Sequence, residues 1–125
     1  MLHHIWFATK QRKWLLQGDV EMAVREQFQA VARERGLRLL EYELMVDHVH
    51  LLLDVEPSRL HESVRLLKGG VAYRIFRQFP LLKLDEGVAG FWQRRFGARS
   101  VPEEQAEQVG RYIRTQWEPL EKYEQ

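Results

Sequence analysis

The chain contains no cysteine. A disulfide framework, thiolate catalysis and a zinc ribbon are therefore excluded. No apolar run approaches the roughly 20 residues that a membrane-spanning helix needs. The opening Met1-Leu2-His3-His4-Ile5-Trp6 has neither the basic stretch nor the long apolar core of a signal peptide. A soluble cytoplasmic protein with no membrane partner is the expectation. Charge of one sign is also scarce. Lys plus Arg is 19 and Asp plus Glu is 18, a formal net charge of +1. That sum argues against coating nucleic acid through bulk charge. Low-complexity segments and internal repeats are missing too. Only four prolines occur, placed where elements should begin or end. What is present is ordinary globular composition over 125 residues, 45% hydrophobic and 30% charged, which fits one domain covering 1–125.

Hydrophobic periodicity orders the chain. Ile5 to Thr9 is an aromatic and β-branched run that predicts a strand, followed by the polar Lys10-Gln11-Arg12-Lys13. A helix is predicted from Gly18-Asp19, with Asp19 as N-cap, to Gly36. Its apolar face is Val20, Ala23, Val24, Phe28, Val31 and Ala32. Leu37–Met45 and His48–Asp54 read as two antiparallel strands joined near Asp47. A second helical region starts at Ser58, is interrupted by Gly69-Gly70, and resumes to Pro80. Phe91 to Val101 reads as a further strand. A last helix opens at Pro102-Glu103-Glu104, presents Ala106, Val109, Ile113 and Trp117 as its apolar face, and ends at Pro119. The order strand, helix, strand, strand, helix, strand, helix predicts an α+β fold. It is a ferredoxin-like (RRM-like) antiparallel sheet with helices on one face and an added C-terminal helix. The other sheet face should be free for a ligand.

His48 and His50 are the leading chemical signal. At i and i+2 on a strand they point to the same side, roughly 6–7 Å apart along the backbone. Two such imidazoles can converge on a divalent metal; the alternative is a pair of half-buried sheet histidines. Tyr112 and Gln116 share a helix face at i and i+4. A Gln carbonyl oxygen suits Mg²⁺ or Mn²⁺, and a Tyr hydroxyl can attack phosphorus. The alternative is an ordinary amphipathic surface helix. Asp47 either orients an imidazole or serves as a turn residue, since on a regular strand it points away from the histidines. His3 and His4 read as sheet residues able to approach DNA.

In order along the chain stand His3-His4-Ile5-Trp6-Phe7-Ala8-Thr9-Lys10-Gln11-Arg12, Asp47-His48-Val49-His50-Leu51-Leu52, Leu67-Lys68-Gly69, Phe91-Trp92-Gln93-Arg94-Arg95-Phe96 and Tyr112-Ile113-Arg114-Thr115-Gln116. This set resembles the small HUH-type single-tyrosine transposases of simple bacterial insertion sequences, relatives of the REP-associated tyrosine transposases. His3 and Gln11 depart from the tyrosines that the family pattern carries there. The resemblance implies that Tyr112 is the catalytic nucleophile and that His48, His50 and Gln116 hold Mg²⁺ or Mn²⁺. It further implies a 5′-phosphotyrosine on single-stranded DNA, DNA hairpins as partners, a homodimer, and a catalytic role for the C-terminal helix.

Charge is unevenly placed. Lys10, Arg12, Arg65, Lys68, Arg74, Arg94 and Arg95 are the candidate DNA contacts, whereas Glu103, Glu104, Glu107, Glu118, Glu121 and Glu124 load the C-terminal part. Tyr73, Trp92 and Phe96 are aromatics that could stack an unpaired base or pack in the core. A non-catalytic single-strand DNA or RNA binding module is the alternative function. A metal-dependent phosphoesterase unrelated to transposition is a further alternative.

Overall fold

The computed structural model describes residues 1–116. Four strands form one sheet: β1 (Leu2–Ala8), β2 (Arg38–Leu44), β3 (His48–Asp54) and β4 (Gly97–Val101). Their order is β2-β3-β1-β4, with every neighbouring pair antiparallel. Helix α1 (Gly18–Glu34) joins β1 to β2, and α2 (Leu60–Gln78) with the short α3 (Leu82–Glu86) joins β3 to β4. Helix α4 (Ala106–Arg114) follows β4. This is the ferredoxin-like arrangement that the element order predicted.

Alternation along the two central strands sorts side chains by face. Ile5 and Phe7 of β1, with Val49, Leu51 and Leu53 of β3, enter the main core beneath α1 and α2. Their neighbours His4, Trp6, His48 and His50 must then point to the opposite face. That face is not free, as the sequence suggested. Val109 and Ile113 of α4 pack against Leu2, Leu52 and Val101 in a second, smaller core. Arg114 also bonds Glu41 of β2 at 2.9 Å. An amphipathic helix with buried Val109, Gly110 and Ile113 needs such a surface, and the uncovered sheet face supplies it.

Other boundaries differ for identifiable reasons. Gly69-Gly70 does not break the second helix, which runs unbroken from Leu60. A Cβ on Gly70 would sit 2.8 Å from Val31 Cγ1, so this glycine serves the close approach of α2 to α1. Ser58 lies in a short 3-10 turn before that helix rather than capping it. Asp19 likewise lies inside the first turn of α1, with Gln17 at the N-cap. The strand expected from Phe91 begins only at Gly97. Phe91 and Trp92 are consecutive and both enter the main core, which the alternating faces of a regular strand do not allow. Their segment instead leaves the sheet and docks on the end of β1, where Gln93 N donates to Ala8 O at 2.9 Å. Helix α4 is preceded by a 3-10 turn at Glu103–Gln105. The expected contributions of Trp117 and Pro119 lie outside the described residues.

Candidate active site

The pairing of β1 with β3 places the chemistry. Trp6 lies opposite His50, and Ala8 opposite His48. The His48 and His50 rings have centroids 5.1 Å apart on the face shared with α4. Each ring is held through Nδ1. Asp47 Oδ1 bonds His48 Nδ1 at 2.8 Å, and His4 Nε2 bonds His50 Nδ1 at 3.0 Å. Asp47 can do this because it sits in the bend before β3, not on the strand. It is at once a turn residue, whose carbonyl accepts from Thr9 N at 2.9 Å, and an orienting carboxylate. Arg12 Nε anchors its other oxygen at 3.0 Å.

With both Nδ1 atoms engaged, the Nε2 atoms remain as the donors free for a ligand. Burial, then the neighbouring His48 and His4, pushes His50 down to about 4, so its imidazole is neutral at pH 7. His4 is lowered by burial and by Arg99. Neutral imidazoles, each oriented through its second nitrogen, are the form in which histidine coordinates metals.

Tyr112 reaches this floor from α4. Its ring centroid lies 6.0 Å from His4 and 6.2 Å from His50 of its own chain. The residue is 52% exposed. Ile113, wholly buried beside it, fixes the helix. Gln116 follows the end of α4, and its Nε2 donates to Tyr112 O at 2.8 Å. That bond engages the amide nitrogen and not the carbonyl oxygen. His4, Trp6, His50, Arg99 and Tyr112 line one cavity of about 260 Å³. No cluster of three His, Asp or Glu side chains suited to a metal exists among the described residues. A metal held here would need a ligand from outside those residue types.

The family model described as "Transposase IS200 like" matches residues 1–116. The chain belongs to the IS200-like transposases. It is 31% identical over 115 residues to the ISDra2 transposase TnpA of Deinococcus radiodurans, covering 91% of this chain and 82% of that one. It is 31% identical over 117 residues to the transposase for insertion sequence element IS200 of Salmonella typhimurium, covering 93% and 76%. A crystal structure assigned as a transposase from D. radiodurans R1 superposes with a TM-score of 0.73 at 33% identity, over 93% of this chain and 90% of that one. A REP-associated tyrosine transposase bound to a REP hairpin shares the fold, with a TM-score of 0.61 at 17% identity over 93% and 66%. The protein is thus an IS200-like transposase, an enzyme acting on DNA.

Within this transposase the basic candidates separate by position. Arg12 and Arg95 line a cavity of about 200 Å³ beside His48. Lys10 begins the turn after β1. Arg65 and Arg94 line a larger cavity of about 790 Å³ between α2 and the segment before β4. Lys68 is spent within the fold. Its Nζ donates to Gln93 O at 2.6 Å and to Arg95 O at 3.3 Å, and burial lowers its pKa. Arg74 ties α2 to α1 through Glu34 and Gln27. Trp92 is core, against Phe7 at 4.9 Å. The sequence reading did not pair His4 with His50, nor did it bring Arg99 and Trp6 to the Tyr112 cavity. The alternation of β1 against a His-X-His strand is the signal that finds His4 and Trp6. No helix among the described residues is long and apolar enough to cross a membrane.

Proposed function

We propose that this transposase cleaves and rejoins single-stranded DNA at hairpin-marked element ends, with Tyr112 as nucleophile. The observation that carries this reading is the seat of Tyr112 beside His50, one of the oriented His48–His50 pair. Tyr112 gives up its proton to solvent, and its oxygen attacks the scissile phosphorus. The Tyr–phosphorus bond forms as the phosphorus–O3′ bond breaks. The leaving 3′ oxygen takes up a proton, giving a free 3′-hydroxyl and a 5′-phosphotyrosine. One phosphoester replaces another, so rejoining by the reverse attack needs no ATP.

His48, His50 and Gln116 are the residues that would hold Mg²⁺ or Mn²⁺. Bound there, the ion would polarise the phosphate and neutralise charge as it develops. Asp47 and His4 keep both imidazoles aimed, and Asp47 holds His48 in the coordinating form. Hairpin recognition is supported by the REP hairpin held by the fold neighbour. The homodimer belongs to the same reading, because one 125-residue domain offers little surface for hairpin, cleavage site and metal together.

The test is covalent trapping. A labelled single-stranded oligonucleotide carrying an element-end hairpin is incubated with protein and Mn²⁺, then resolved under denaturing conditions. An adduct on Tyr112, lost in Tyr112→Phe and on chelation, is the expected result. An adduct that persists in Tyr112→Phe overturns the assignment. Hairpin binding without any adduct favours the non-catalytic module instead.

A further inference from the structure

Trp6 is the one large aromatic of β1 on the site face, and its indole lies 38% exposed. Its seat is specific. Trp6 pairs with Gly97 across the β1–β4 ladder. A Cβ on Gly97 would meet Trp6 Cε2 at 2.1 Å, Nε1 at 2.3 Å and Cζ2 at 2.4 Å. The nearest of these is the ring-fusion carbon, with its two bonded neighbours on either side. That point lies over the face of the indole and not at its edge. One indole face therefore rests on the bare backbone at Gly97, and any side chain there would displace it. The His4 ring abuts it at 5.1 Å, tilted by 57°.

The indole also divides the site. It lines the cavity holding His4, His50, Arg99 and Tyr112. It equally lines the cavity holding His48, Arg12, Arg95 and Gly97. A partly exposed indole, one face seated on Gly97, thus stands between two pockets that each carry arginine, directly beside the histidine pair. This is the arrangement with which proteins hold single strands: cations for phosphates and a flat ring for the base between them.

We propose that the Trp6 indole, propped by Gly97, is a stacking site for one unpaired nucleobase next to the scissile phosphate. The proposal rests on the strand-cleavage reading for where that phosphate lies. Arg12 and Arg95 on one side and Arg99 on the other receive the flanking phosphates. Stacking accepts any base, so the site would set the register of the strand more than its sequence.

The probes are a ten-nucleotide oligodeoxyadenylate and an abasic oligomer of the same length, followed by fluorescence anisotropy in low salt without metal. Trp6→Ala is expected to weaken oligodeoxyadenylate binding about tenfold and to leave the abasic oligomer unchanged. Trp6→Phe should retain most of the affinity. Gly97→Ala, which pushes the indole off its seat, should weaken binding as Trp6→Ala does. Thermal melts by circular dichroism confirm that each variant is folded. Should Trp6→Ala misfold, Trp6→Phe and Gly97→Ala carry the comparison. Equal affinity of wild type and variants for oligodeoxyadenylate, including no measurable binding by any, overturns the proposal. An equal loss on both oligomers overturns it too, since that is loss of phosphate contacts. The assay needs neither metal nor Tyr112, so failure of adduct formation counts separately against the strand-cleavage reading.

Discussion

His4 Nε2 and His50 Nδ1 lie 3.0 Å apart, joining adjacent strands through two imidazoles. Only one of these nitrogens carries the shared proton. If His50 Nδ1 donates, its Nε2 keeps a lone pair for a metal; if His4 donates, it does not. Asp47 imposes the coordinating form on His48 more strongly, because a carboxylate can only accept from Nδ1–H. The pairing therefore makes His4 a positioning residue for His50. His4→Phe should lower Mn²⁺ affinity by about 10- to 100-fold while leaving the protein folded. Electron paramagnetic resonance of free Mn²⁺ measures the affinity. Nitrogen-15 spectra should show His50 losing its fixed tautomer in the same variant. Unchanged affinity and an unchanged tautomer would assign His4 to packing alone.

His50 also makes stability depend on pH. Its folded pKa is about 4, below the ordinary 6.5, because burial and the neighbouring histidines disfavour the charged ring. Between those values the unfolded chain binds a proton that the folded chain refuses. The contribution is complete above about pH 6.5 and is lost as pH falls toward 4. Urea midpoints of wild type should drop across this window in metal-free buffer. His50→Gln should flatten the drop, and the difference between the two proteins isolates this residue from the carboxylates.

The order of elements and the His-X-His face were legible because each rests on local periodicity. The register of β1 against β3 was not. Pairing between strands 46 positions apart is decided by which faces the rest of the chain covers, and no local pattern carries that. Hence neither His4 nor Trp6 could be assigned to the site from the sequence. The same limit left Asp47 open between a turn role and an orienting one; a bend of two residues frees its carboxylate from strand alternation and allows both. Gly69-Gly70 read as a break because propensity is local, whereas the contact of Gly70 with Val31 is tertiary.

Lys68 and Arg95 should part company under salt. The Lys68 ammonium bonds the Gln93 and Arg95 carbonyls and lies 5.1 Å from the Phe7 ring centroid, so it anchors the segment before β4. Lys68→Met leaves two buried-side carbonyls without their donor and should lower the melting temperature. It should not change the slope of log affinity against log salt for a single-stranded oligonucleotide. Arg95→Gln should leave the melting temperature near wild type and reduce that slope by about one. Titrations at several salt concentrations separate the two, and a reduced slope in Lys68→Met would return it to the DNA surface.

Ile113 determines whether α4 holds Tyr112 in place. Its side chain is wholly buried against Leu2, Leu52 and Val101, in a core separate from the one beneath α1 and α2. Ile113→Ala should cost about 2–5 kcal/mol by removing packed methyl groups. Leu67→Ala, also wholly buried but in the main core, should cost a similar amount. The two variants differ in what loosens. Ile113→Ala frees the helix that carries Tyr112 while β1 and β3 keep the histidine pair aligned. Its adduct rate should fall well below that of Leu67→Ala at a temperature where both are folded, with Mn²⁺ affinity at His48 and His50 falling less. Equal adduct rates in the two variants would mean that Tyr112 acts from a position the small core does not set, and the cis seat seen here would not be the reactive one.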